Sequence, residues 1–259
     1  MRRMGYGLVV IGLSLILAGP VHAVPQKDRE ESGPAGVVSR AIKAVGGEAK
    51  LKKLKSATLS MKGTFSKGGM DVNFAMEVSV KDLTKYHLDA TAEVMGQQET
   101  VLLVVDGDKV WTRERNRVRE APKEEALAIV RGDFHTLRLI QLLLPLKDKG
   151  CKLSALKEVK VGGKPAVGIK VKRKDYPDLD IYFDKKSHLP VKCTVLVEDK
   201  KGQAAVPHEF LLSEPKKLGG VTHFTKIVVN RDGKKVVEFE LNAVRPDAKL
   251  KATLFDKPE

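Results

Sequence analysis

The side chains of this 259-residue chain that could do acid–base, nucleophilic or metal chemistry are few and scattered. His87, His135, His188, His208 and His223 never recur at the i+2 or i+4 spacing that aims two imidazoles at one ion. The patterns H-E-x-x-H, G-x-S-x-G, G-x-G-x-x-G and the phosphate-cradling G-x-x-x-x-G-K-[ST] do not occur in residues 24–259. Asp178-Leu179-Asp180 with Asp184 sets three carboxylates on one face of a strand, chemistry that would draw a hard cation such as calcium. The loop glycine and bidentate glutamate that calcium loops use are missing, so these carboxylates read as a solvated face balancing nearby lysines. No metal site and no cofactor are predicted. Carboxylate pairs for hydrolysis assemble in space rather than in sequence, which leaves a hydrolase as a minor reading. The prediction is a protein that is not an enzyme.

Cys151 and Cys193 are the two cysteines, and without a C-x-x-C pair they offer neither a thioredoxin-type site nor a zinc knuckle. In an oxidising compartment they could bridge, closing a loop of about 40 residues worth about 3–4 kcal/mol by chain entropy. Two free buried thiols are the alternative. The compartment is indicated by residues 1–23, where Arg2 and Arg3 precede an apolar run from Gly7 to Gly19 and the close Val21-His22-Ala23. That pattern predicts a secretory signal cleaved after Ala23 and a periplasmic or extracellular protein. Lys+Arg number 47 against 33 Asp+Glu; removing Arg2 and Arg3 leaves 45 against 33, a net +12. Nucleic acid is not the expected partner, because aromatics total 5% and the lysines spread along strand faces instead of forming a basic stripe. Lysines so placed keep sheet edges soluble and would draw the protein into transient contact with an anionic membrane surface.

The elements that position these groups show in the periodicity. After a polar linker at residues 24–35, apolar residues Val37, Val38, Ala41, Ile42, Val45, Leu51 and Leu54 fit a helix interrupted at Gly46-Gly47. The pattern then turns to period two: Leu59, Met61 and Phe65, then Val72, Phe74, Met76, Val78 and Val80, alternate with polar residues. Tyr86, Leu88, Ala90 and Ala92 continue it, followed by residues 101–105 and 110–112 across the Asp106-Gly107 turn. A second helix is expected to start at Pro122 and run to Leu144, stopped by Pro145, with Gly132-Asp133 able to split it. It is so apolar that little beyond Arg138 and Gln141 could face water, which makes it core filling or a plug over a cavity. Strands resume from Lys152 to residue 241, with turns at Gly162-Gly163, Lys201-Gly202, Gly219-Gly220 and Asp232-Gly233. No linker divides the halves. The expected fold is α+β and mainly antiparallel β: one curled sheet of about eleven strands covered by two or three helices, in a single domain at residues 36–259.

Five local stretches carry a family resemblance: Gly47-Glu48-Ala49-Lys50-Leu51-Lys52-Lys53-Leu54-Lys55-Ser56, Val105-Asp106-Gly107-Asp108-Lys109-Val110-Trp111, Tyr182-Phe183-Asp184-Lys185-Lys186-Ser187-His188-Leu189-Pro190-Val191, Phe239-Glu240-Leu241-Asn242 and Leu254-Phe255-Asp256-Lys257-Pro258. Over residues 36–258 the chain resembles the outer-membrane lipoprotein-sorting superfamily with the LolA/LolB-like fold. The resemblance implies an exported, non-enzymatic half-barrel whose concave apolar face holds the acyl chains of a lipid or acylated lipoprotein. It also implies an alternative, an envelope sensor or scaffold that binds another envelope protein through the same fold. A monomer is expected. Carriers of the family latch the cavity with an arginine on a strand, whereas residues 56–81 contain none. The expected lining is Leu59, Met61, Phe65, Phe74, Met76, Leu88, Trp111, Phe134, Leu139, Leu143, Phe183 and Phe239, with the methionines adaptable to irregular guests.

Overall fold

The computed structural model describes residues 33–67, 69–115, 117–198, 204–246 and 248–259. The predicted signal at residues 1–23, nearly all of the linker and the Lys201-Gly202 turn lie outside them. The first helix begins at Pro34, inside the expected linker, because proline suits the first helical turn, where its missing N–H costs nothing. Helix α1 (Pro34–Val45) and short α2 (Glu48–Lys53) are separated at Gly46-Gly47 as the sequence predicts.

Among the described residues thirteen strands follow, where about eleven are expected from the sequence. They are β1 (Ser56–Lys67), β2 (Met70–Lys81), β3 (Lys85–Val94), β4 (Gln97–Asp106), β5 (Lys109–Glu114), β6 (Arg117–Glu120), β7 (Cys151–Val161), β8 (Lys164–Arg173), β9 (Leu179–Asp184), β10 (Pro190–Val197), β11 (Val206–Leu218), β12 (Val221–Arg231) and β13 (Lys234–Pro246). The edge strands account for the difference. Only Val118 is apolar in β6, and the β7 apolar residues change face at a bulge between Leu156 and Val159, so neither carries a clean period-two signal. Asp232 and Gly233, with φ of 47° and 72°, make the tight β12–β13 turn that asks for two left-handed residues.

All strands belong to one antiparallel sheet in the order β6-β5-β4-β3-β2-β1-β13-β12-β11-β10-β9-β8-β7. Two meanders thus meet at the β1–β13 seam, and strands adjacent in sequence, β6 and β7, form the opposite edges. The chain between them must cross the sheet. Laid flat, the twelve spacings would separate the edges by about 58 Å. A helical segment of about 25 residues reaches only about 38 Å even when straight. The sheet therefore curls around the segment, which lies in the concavity.

That segment is not the single expected helix. It runs as α3 (Lys123–Ile129), a wide turn (Val130–Phe134) in which Gly132 leaves helical geometry at φ −83°, ψ −115°, and α4 (His135–Leu142). Leu143 turns left-handed at φ 54° and a 3-10 turn (Leu144–Lys147) follows. Gly132 and Pro145 are the physical breaks. Helix α1 buries Val38, Ala41, Ile42 and Val45 at 3- and 4-residue steps against β7, β8 and β12. It thereby seals the C-terminal half of the concavity, whereas the N-terminal half, β1–β6, receives less cover. Among the described residues no helix is long and apolar enough to cross a membrane.

Candidate acyl-chain site

Strand register sorts the concave side chains into rows. Ala57, Val80, Tyr86, Val105 and Val110 form one; Leu59, Val78, Leu88, Leu103 and Thr112 the next; Met61, Met76, Ala90, Val101 and Glu114 a third. Across the seam, β13 presents Val237 and Phe239, β12 presents Ile227 and Val229, and β11 presents Phe210. Phe134, Leu137 and Gln141 of the helical segment roof these rows, leaving an apolar chamber of about 200 Å³. At Met76 and Val237 the chamber joins an open groove of about 1090 Å³. Phe65, Phe74, Ala90, Ala92, Val94 and Val101 floor the groove, and Arg115, Arg117, Arg119, Glu99 and Glu114 wall it on the edge strands. Gly63 makes room for the β13 wall: a Cβ there would stand 2.2 Å from the Glu238 carbonyl oxygen and 2.7 Å from the Phe239 Cα.

Of the residues expected from sequence, Leu59, Met61, Met76, Leu88, Phe134 and Phe239 line the chamber. Phe65 and Phe74 lie in the groove, their rings 6.1 Å apart. The structure moves the other four elsewhere. Leu139, Leu143 and Phe183 are each at most 1% exposed in the sealed core. For Leu139 the cause is the 100° step of α4, which turns Leu137, Arg138 and Gln141 to the chamber instead. Trp111 sits between Val110 and Thr112, so strand alternation sends it to the convex face. There it packs with Leu102 and Val104, and its indole N–H donates to Glu120 Oε2 at 3.0 Å. The bridge between Cys151 and Cys193 does not form. Cys193 belongs to β10 and Cys151 to β7, three strands or about 14 Å of sheet away, beyond disulfide reach. Cys151 Sγ–H instead donates to the Pro145 carbonyl at 3.2 Å, while burial raises the Cys193 thiol pKa.

What sequence reasoning missed is how the roof is fastened. Arg138, 2% exposed, donates through Nε to the Asp82 carbonyl at 2.9 Å and through Nη2 to those of Leu54 at 2.5 Å and Lys55 at 3.2 Å. Burial lowers its pKa to about 10. The Leu54 and Lys55 carbonyls follow the last turn of α2, where helices leave acceptors without intrahelical partners, and Lys55 also accepts the Asp82 backbone N–H. At the other end of the roof, Asp133 Oδ1 lies 2.7 Å from His208 Nδ1, and Asp133 Oδ2 lies 3.4 Å from Arg231 Nη2. The signal for Arg138 was present, a lone arginine in an otherwise apolar run. The signal for Asp133 was not, because its partners lie some 75 and 98 residues away. The Tyr86 hydroxyl donates to the Leu83 carbonyl at 2.9 Å, and burial raises its pKa. His135 and His223 are held neutral, their pKa values lowered to about 4 chiefly by burial and secondarily by Arg173 and Arg138.

The acidic triplet serves the sheet. Asp180 pairs with Lys170 at 2.5 Å and Asp178 with Lys172 at 2.9 Å. Asp184 accepts the Ser187 and Lys186 backbone N–H groups at 2.7 and 3.0 Å, which lowers its pKa. Among the described residues no three His, Cys, Asp or Glu side chains gather as metal ligands would.

The sequence matches no known protein-family profile and no curated protein. Among solved structures the chain is similar to a domain named for outer membrane lipoprotein sorting from Vibrio parahaemolyticus, at 12% identity over 88% of this chain and 97% of that one, with a TM-score of 0.57. A LolA superfamily protein from Nitrosomonas europaea matches at 10% identity over 82% and 98%, TM-score 0.56. A DUF1329 family protein from Desulfovibrio piger matches at 12% identity over 86% and 97%, TM-score 0.54. The chain therefore has a LolA-like fold.

Proposed function

We propose that this protein is an exported, non-enzymatic carrier or binder of acyl chains belonging to a lipid or lipoprotein. One observation carries the reading: an apolar chamber between α4 and the concave sheet that opens, at Met76 and Val237, onto a groove with an apolar floor and a charged wall. That arrangement suits an amphiphile, with hydrocarbon inside and a polar end outside. The name of the Vibrio parahaemolyticus neighbour, for lipoprotein sorting, supports the same class of ligand.

Magnitudes decide how the two compartments share the task. A cavity of about 150 Å³ accommodates a benzene-sized guest, so the chamber's 200 Å³ scales to about eight carbons. At about 0.8 kcal/mol per buried methylene, those carbons contribute about 6 kcal/mol. Association itself costs about 4–15 kcal/mol. The chamber alone is too small for tight binding, and the groove floor must cover the rest of the chain. Extraction of gently purified protein followed by lipid mass spectrometry tests the proposal, with co-purifying acyl lipid at near one equivalent expected. Repeatedly empty protein that also fails to take up an acylated peptide would overturn it.

A further inference from the structure

We infer that the interior admits a single acyl chain, tail first, so that the ligand is a one-chain amphiphile (a fatty acid or lysolipid) or one chain of a larger lipid whose others stay outside. This rests on the acyl-chain reading above and narrows its ligand class. Two observations carry it. The chamber holds about eight carbons in its 200 Å³, which leaves no place for a second chain beside the first. Its roof is also fastened at both ends. Arg138 holds one end to three main-chain carbonyls, of the β2–β3 turn and of the two residues that follow α2, and Asp133 holds the other to His208 and Arg231. Widening the chamber for a second chain would pull a buried guanidinium from all its acceptors at once, which the added hydrocarbon contact does not offset.

The direction of entry follows from polarity along the path. The deep end is closed by Val80, Tyr86 and Leu59, and the charged side chains of the chamber, Arg138, Asp133 and Arg231, are engaged in the fastenings of its roof, whereas the open groove adds the charged wall of Arg117, Arg119 and Glu114. A polar head therefore stays in the groove and the methyl end goes in first. Met76 and Val237 are the neck between the two compartments.

Calorimetric titration of the delipidated full chain with saturated fatty acids of six to sixteen carbons tests the inference. One site per molecule is expected. Affinity should rise about fourfold per methylene up to about eight carbons and more gently beyond, where the groove covers only one side of the chain. A lysophosphatidylglycerol and the phosphatidylglycerol of equal chain length should bind within about threefold of each other. A second bound palmitate, a diacyl lipid tenfold tighter than its lysolipid, or an unbroken slope to sixteen carbons would overturn the single-chain inference while leaving the acyl-chain function standing. Failure of every fatty acid and lipid to bind would instead sink the function on which it rests. Met76→Trp, which fills the neck, should weaken palmitate at least tenfold at an unchanged melting temperature. Equal palmitate affinity in that variant would place the chain elsewhere and overturn the path.

Discussion

Arg138 shows how one side chain can decide whether the chamber exists. Its hydrogen bonds go to three main-chain carbonyls, which share the cost of taking the charge out of water, and the Asp82 carboxylate adds a weaker attraction. Replacing it by methionine keeps the apolar stem and removes the guanidinium from the Leu54, Lys55 and Asp82 carbonyls, of which Lys55 keeps the Asp82 backbone N–H. Hydrogen bonds to a charged group are worth about 1.5–3 kcal/mol each, so Arg138→Met should cost about 3 kcal/mol or more. At about 2–4 °C per kcal/mol the melting temperature falls by about 6–12 °C. Arg138→Lys, a point donor in place of a fork, should fall between the two. Melting followed by circular dichroism reads both. The two buried imidazoles add a pH dependence. Their folded pKa of about 4 lies below the ordinary 6.5, so the unfolded chain takes up protons that the native chain refuses. The stability they contribute is complete above pH 6.5 and is lost as pH falls toward 4. At 1.36 kcal/mol per pH unit the loss is roughly 3 kcal/mol for each imidazole. Urea titrations at pH 7.5 and pH 4.5 should show it, and His223→Leu should remove one imidazole's share; an unchanged pH difference in that variant would assign the loss to other groups.

At the scale of elements, the β1–β13 seam holds the chamber wall and has the least tolerance. Because the neighbours of a Cβ at Gly63 would be main-chain atoms at 2.2 and 2.7 Å, no rotamer relieves the clash. Gly63→Ala should cost at least about 2 kcal/mol by overpacking and displace Phe239 from the chamber, lowering acyl-chain affinity in the molecules that still fold. Denaturant midpoints and palmitate titration of the same sample separate the two effects. This seam also marks where sequence reading stopped. Alternation in Leu59-Met61 and Phe74-Met76-Val78 made the concave face of β1 and β2 readable, because period two assigns a face without reference to any neighbour. Face assignment failed at Trp111, because Val110 and Thr112 on either side face inward and strand alternation turns the indole outward. It failed in and just after α4 because Arg138 and Gln141, the polar residues that would mark a solvent side, face the chamber instead, so Leu139 and Leu143 could not be told from Leu137. The pairing of β1 with β13, the contributions of Ile227 and Val229, and the Asp133–His208 fastening depend on contacts between distant segments, for which one sequence supplies no signal.

The whole molecule is an unclosed sheet, and an unclosed sheet must protect two edges. β6 does so by being four residues long, and β7 by its bulge and the exposed Lys152, Lys157 and Lys160. Those lysines belong to a surplus of positive charge, net +14 in the full chain and +12 without Arg2 and Arg3. Several lysines are already committed to carboxylates, among them Lys85 to Asp106 at 2.7 Å and Lys226 to Glu238 at 2.7 Å, so the surplus resides in the remainder. A cation near an anionic bilayer gains about 1 kcal/mol, and the field decays within a Debye length. That length is about 30 Å at 0.01 M salt, about 8 Å at 0.15 M and about 3 Å at 1 M. A dispersed charge of this size therefore predicts weak, long-range attraction with no fixed docking patch. The protein should co-sediment with phosphatidylglycerol vesicles at 0.01 M salt, largely dissociate at 0.15 M and be free at 1 M, and it should ignore phosphatidylcholine vesicles throughout. Sedimentation that persists at 1 M salt would mean that apolar surface, the groove floor included, enters the bilayer, and that ligand is taken directly from the membrane instead of from a lipid brought near by charge.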